Sequence, residues 1–142
     1  MGRTFVFECP KCGYLARVSG GADAGCRFAV QTILCYQCKQ LHDAVTALRV
    51  QRPATSVVPL ARRRLKPLTP AAAARPMLLP PAFAAVLNRL PVPLTRAAKW
   101  LRFKPACPVS RRHQVRDWNS PDRCPKCGAL MEQSALPYRL WD

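Results

Sequence analysis

Cys9-Pro10-Lys11-Cys12-Gly13 and Cys124-Pro125-Lys126-Cys127-Gly128 are one pentapeptide written twice, near opposite ends of the chain. The spacing has a physical cause. A tight turn between two cysteines brings both sulfurs to one metal ion. Pro favours the first bend of that turn, and Gly takes the positive φ needed just past the second ligand. Backbone amides in such a knuckle, and cations such as Lys11, Lys39 and Lys126 in or beside it, disperse the negative charge that a zinc–thiolate centre carries.

Working outward from the first knuckle, Thr4 to Glu8 alternates aromatic Phe5 and Phe7 and reads as a strand, with Tyr14 to Val18 as a second. Ser19 to Gly25 reads as a flexible turn. Phe28 to Leu34 is β-rich and runs into another complete pair, Cys35-Tyr36-Gln37-Cys38, and Ala44 to Val50 fits a strand or a short helix. Two Cys-x2-Cys pairs flanking short strands predict a four-cysteine zinc site from Cys9, Cys12, Cys35 and Cys38. A redox Cys-x-x-Cys wants one pair at a helix start in a βαβ setting, which this pattern lacks.

The second knuckle has no paired partner beside it. Cys107-Pro108 echoes the start of a knuckle, and His113 stands where a fourth ligand is needed. Cys107, His113, Cys124 and Cys127 would form the set of three cysteines and one histidine that zinc accepts. A second partition lets the Cys124/Cys127 knuckle complete the front site, which leaves Cys107 and one front pair unassigned. Cys26 reads as a small free thiol and His42 as a strand-surface residue. Around these ligands, Leu101 to Lys104 resembles the strand that opens the first knuckle, while Gln114 to Trp118 and Ala129 to Glu132 read as further strands. The aromatic stretch Leu136 to Asp142 is expected to pack back or to dock on a partner.

Between the two ends the composition changes. Ten of the fifteen prolines fall from Pro53 to Pro105, and residues 53–106 hold ten Lys and Arg with no Asp or Glu, out of a net charge of +16. Pro70 to Pro81 is linker-like, Pro81 to Leu90 fits about two helical turns, and a helix to about Lys99 is expected to give way to strand. The organisation expected is an N-terminal zinc ribbon over 1–52, a basic Pro/Ala-rich linker, partly disordered or helical, over 53–100, and a C-terminal zinc module over 101–142. The fold class is small and mostly β, with short antiparallel strands. End pieces this small bury too little apolar surface to fold unaided, so two structural zinc ions would replace the missing cores.

These motifs resemble the zinc-ribbon superfamily with its rubredoxin-like CPxCG knuckles, well over residues 4–50 and moderately over 101–132. The layout is also similar to uncharacterised bacterial double zinc-ribbon proteins. The resemblance implies small antiparallel sheets holding zinc between two knuckles, and it implies no activity, because this fold serves many processes.

The N-terminus has no secretory pattern and no stretch reaches the length of a membrane span, so a reducing cytoplasmic setting with free thiols is expected. Seven scattered acids and two closed four-ligand sites argue against an enzyme. The charge points to nucleic acid or a nucleic-acid machine. Arg62, Arg63, Arg64, Lys66, Arg96, Lys99, Arg102 and Lys104 are the candidate phosphate contacts, with Trp100, Phe103 and Trp118 stacking or packing nearby. The alternative is a protein-interaction adaptor using ribbon surfaces and the aromatic C-terminal stretch. A redox or accessory enzyme subunit ranks third.

Overall fold

A computed structural model describes residues 1–50, 79–88 and 98–142, in nine strands and one short helix. Most of the expected linker therefore lies outside the described residues, together with Arg62, Arg63, Arg64, Lys66 and Arg96. The mostly-β expectation of small antiparallel sheets is met.

The first sheet is organised by β1 (Gly2–Glu8). Its alternation of buried Phe7 with exposed Glu8 is the pattern of a strand with one face on a core. On one side β1 pairs with β2 (Leu15–Val18), Phe5 opposite Val18 and Glu8 opposite Leu15. It also pairs with two strands from the far end of the chain. These are β8 (Glu132–Gln133), through Phe7 and Glu8, and β9 (Arg139–Trp141), through Gly2, Arg3 and Thr4. The amides of Ser134 and Tyr138 donate to the carbonyls of Val6 and Thr4, so the two far strands track one edge of β1.

The second sheet runs β3 (Ala22–Ala24), β4 (Phe28–Cys35), β5 (Gln40–Val50) and β6 (Lys99–Arg102), all antiparallel, with β7 (Val115–Asp117) also paired to β4. The supposed flexible turn over Ser19 to Gly25 thus contains an edge strand. Gly20 and Gly21, both with positive φ, turn the chain into it. The stretch from Lys99 is strand, as expected, and the helix expected before it lies almost wholly outside the described residues. The helix expected over Pro81 to Leu90 is the shorter α1 (Phe83–Leu87).

Each of two cores draws on both ends of the chain. Phe7, Leu34 and Leu41 pack with Trp118 and Met131, and the Phe7 and Trp118 rings meet edge to face at 5.0 Å. Phe28, Val30 and Val45 pack with Val86 and Trp141. The expected division into one self-contained zinc module per end is therefore corrected. Strands from 1–50 and 98–142 share both sheets and both cores, because β1 and β5 each leave an edge, and β4 the part of one that β3 does not cover, for strands from the far segment to fill.

A buried polar knot fastens the turn after β2 to the second sheet. Asp43 accepts from the Ser19 amide at 2.9 and 3.0 Å, from the Ser19 hydroxyl at 3.0 Å and from the Thr32 hydroxyl at 2.7 Å. Thr32 Oγ1 in turn accepts from the amides of Gly20 and Gly21. Burial pushes the Asp43 carboxyl above its ordinary range, and the Thr32 and Ser19 donors only partly offset it. Asp43→Ala leaves those donors unpaired in the interior. It is expected to cost about 2–4 kcal/mol of stability, measured as a lowered urea midpoint with an unchanged slope in zinc-loaded protein.

Candidate metal centres

Each knuckle is built by its own short-range hydrogen bonds. In the first, the Gly13 amide donates to Cys9 O and the Cys9 amide to Tyr14 O, each at 2.9 Å. The last knuckle repeats this with Gly128 to Cys124 O at 3.0 Å and Cys124 to Ala129 O at 2.7 Å. Gly13 and Gly128 have φ of 67° and 77°, as the turn requires. The middle knuckle closes through the Lys39 amide on Cys35 O at 2.9 Å, and Lys39 itself takes φ 52°, the only positive φ of a non-glycine residue among the described residues.

Tertiary structure then pairs the knuckles in a way that corrects the expected partition. Cys9, Cys12, Cys124 and Cys127 form one cluster, and Cys35, Cys38, Cys107 and His113 form the other. All eight expected ligand residues are used, four per cluster, but the two front pairs do not share a site. The cause is strand pairing. Glu8, next to Cys9, is registered opposite Glu132, just past the last knuckle, so the two identical knuckles face each other. Cys35 is registered opposite Val115, which sets His113 beside the middle knuckle. The partition that leaves Cys107 unassigned on spacing alone instead groups it with Cys35, Cys38 and His113.

The distances suit a tetrahedral ion. Thiolates about 2.3 Å from zinc stand about 3.8 Å apart, and a thiolate and an imidazole nitrogen about 3.6 Å apart. Cys12 and Cys124 Sγ are 3.7 Å apart and Cys9 and Cys127 Sγ 3.3 Å. In the second cluster Cys38 and Cys107 Sγ are 3.7 Å apart, and His113 Nδ1 lies 3.3 Å from Cys38 Sγ and 3.6 Å from Cys35 Sγ. Within each cluster every donor atom is within 4.8 Å of the others. A disulfide needs about 2.05 Å, and all eight cysteines are free thiols. The donor sets are those of two structural zinc ions, one held by four cysteines and the other by three cysteines and a histidine.

Electrostatics point the same way. Burial pushes the Cys9 thiol up, but the Cys12 amide and the Cys127 sulfur outweigh it and bring it down to about 7. At Cys12 the Tyr14 amide pulls down, yet desolvation and the sulfurs of Cys127, Cys9 and Cys124 take it up to about 12. In the second cluster burial raises Cys35, but the Cys38 amide and the Cys38 and Cys107 sulfurs bring it down. Burial and the Cys35 and Cys107 sulfurs push Cys38 up to about 12. Crowded thiols thus resist shedding all their protons until a divalent cation is among them, and a coordinating thiol is deprotonated outright.

Supporting residues were less legible. Gln37 Oε1 accepts from the Gln114 amide at 2.9 Å, and the Tyr36 amide donates to Gln114 O at 3.1 Å, so the middle knuckle holds the His113 loop directly. Tyr14 Oη accepts from the Leu41 amide at 3.0 Å, tying the first knuckle to β5, and Lys126 Nζ lies 4.9 Å over the Tyr14 ring. Trp118 Nε1 donates to Arg123 O at 3.0 Å, just before the last knuckle. A polar residue inside a knuckle is the only hint the sequence offers for Gln37.

The remaining candidates sort plainly. Cys26 is exposed and belongs to neither cluster, and half-buried His42 on β5 also joins neither. Lys99, Arg102 and Lys104 are exposed, Trp100 is 44% exposed, Phe103 packs against the second core, and Trp118 is fully buried. No helix among the described residues is long and apolar enough to cross a membrane. Comparison with known protein families, with curated proteins and with solved structures finds no match to this chain.

Proposed function

We propose that this is a non-catalytic cytoplasmic protein, its fold stapled by two zinc ions in zinc-ribbon fashion, that associates with nucleic acid or a nucleic-acid machine. The observation that carries the reading is the charge: +16 overall, with ten cations and no acid over residues 53–106. Of those cations, Lys99, Arg102 and Lys104 stand exposed along β6 and just beyond it. Among the described residues the side-chain acids neutralise little. The two ion pairs there join Met1 to Asp142 and Arg116 to Asp122. A field of this sign attracts polyanions and releases their counterions on contact. The non-catalytic part of the reading is supported by the ligand sets, since four protein donors at each centre leave no position for a substrate or an activated water.

Binding of the zinc-loaded chain to RNA and DNA across a salt series tests this. With about four phosphate contacts, affinity should fall about 50- to 150-fold between roughly 50 and 200 mM salt. A salt-independent affinity would sink the phosphate-contact reading.

The adaptor reading retains one favouring observation. Leu136, Tyr138 and Leu140 are each more than half exposed near the C-terminus. Its aromatic anchor is weaker than the sequence suggests, because Trp141 is committed to the second core.

A further inference from the structure

One face of the second sheet carries a trough with an aromatic wall. Ala24 lies opposite Ala29, Ala29 opposite Ala47, and Ala47 opposite Arg102, so one cross-strand row runs over all four strands β3 to β6. Three of its four members are alanines. Directly paired residues point to the same face, and a methyl group at each position leaves the row about one side chain lower than its surroundings. On the opposite face, by contrast, Phe28, Val30 and Val45 are packed into a core. The depression measures about 560 Å³ and is lined by these alanines with Trp100, Arg102 and Pro105 among its walls. Trp100 sits two residues from Arg102 on β6, hence on the same face, opposite Arg49.

An exposed tryptophan beside a slot, flanked by two arginines and with no carboxylate among the lining residues, has a chemically defined complement. A flat apolar ring fills the slot and stacks on the indole, while anionic groups on either side meet the guanidinium ions. An unpaired nucleotide has those parts in that order. A duplex does not, because its base faces are already stacked on one another. We infer that this trough seats an unpaired base of a single-stranded nucleic acid, with Trp100 as the stacking platform and Arg102 and Arg49 meeting the neighbouring phosphates. The inference rests on the nucleic-acid reading above and narrows it to one face and one strandedness.

The test uses the full zinc-loaded chain and fluorescence anisotropy with an oligouridine of about twelve nucleotides and a hairpin duplex. Trp100→Ala should weaken single-strand binding about 5- to 100-fold, the range expected when one base loses its aromatic platform. Duplex binding and the salt slope should stay unchanged, because the ring is uncharged. Trp100→Phe should restore most of the affinity, and Arg102→Ala should lower the salt slope. Ala47→Leu fills the trough while keeping the tryptophan at position 100 and should give the same single-strand-selective loss. It therefore serves if Trp100→Ala no longer retains two zinc ions. Unchanged single-strand affinity in either folded variant, with salt-dependent binding intact in the parent, overturns the trough alone. A parent chain that binds neither probe overturns the nucleic-acid reading and the trough with it.

Discussion

Replacing Cys9 and Cys35 together by serine should leave a chain that retains no tightly bound zinc, whereas replacing Cys9 and Cys124 together should leave one ion. The two double variants remove the same number of thiols, so the difference isolates how the ligands are grouped. Cys9 belongs with Cys12, Cys124 and Cys127, and Cys35 with Cys38, Cys107 and His113. One serine in each cluster damages both centres. Two serines in one cluster destroy that centre and spare the other. Sites built from sequence neighbours would give the reverse, with the Cys9/Cys35 variant keeping one zinc. Structural zinc contributes roughly 10–16 kcal/mol of apparent binding free energy, as much as the whole net stability of an ordinary domain, about 5–15 kcal/mol. Loss of both ions is therefore expected to unfold the chain. Metal content after gel filtration against a weak chelator, with far-UV circular dichroism on the same samples, reads both consequences.

The second large effect lies at the other end of the chain. Trp141→Ala is expected to cost about 3–5 kcal/mol, as for other large buried aromatics cut back to a methyl. The Trp141 and Phe28 rings stack with centroids 4.4 Å apart and planes within 11°, and Phe83 meets Trp141 edge-on at 5.8 Å. The indole also lies directly against Gly2, where an added Cβ would collide with the ring. Removing it opens the second core between β1, β4 and α1 and loosens the pairing of β9. Thermal unfolding of the zinc-loaded protein would measure the loss. A change within about 0.5 kcal/mol would mean that Trp141 is a surface residue after all, and the adaptor reading would regain its anchor.

Local chemistry was readable because it is written in short spans. The knuckles, their glycines and the strands leading into Cys9 and Cys35 depend on residues a few positions apart, and all lie where the sequence places them. Lys39 shows the limit even there, since nothing in its type marks it for the left-handed conformation it adopts. Trp118 shows another. Its neighbours Arg116 and Asp117 are exposed, and it becomes core only through tertiary packing with Phe7, Leu34, Leu41 and Met131. The exposure of Trp100 is likewise a property of which sheet face remains open, not of the residues around it in sequence.

The order of residues along the chain was enough for the inventory: eight metal-binding side chains, knuckle turns, short strands and a basic, proline-rich middle. It could not decide which knuckle meets which, because every cysteine pair offers zinc the same two sulfurs and is satisfied by any other pair. Tertiary structure made that choice through β1 with β8 and β4 with β7, pairings that join residues eighty or more positions apart. The identical Cys-Pro-Lys-Cys-Gly turns that first marked the chain as metal-binding thereby meet across one site. The Cys35/Cys38 pair and the irregular Cys107/His113 pair meet across the other.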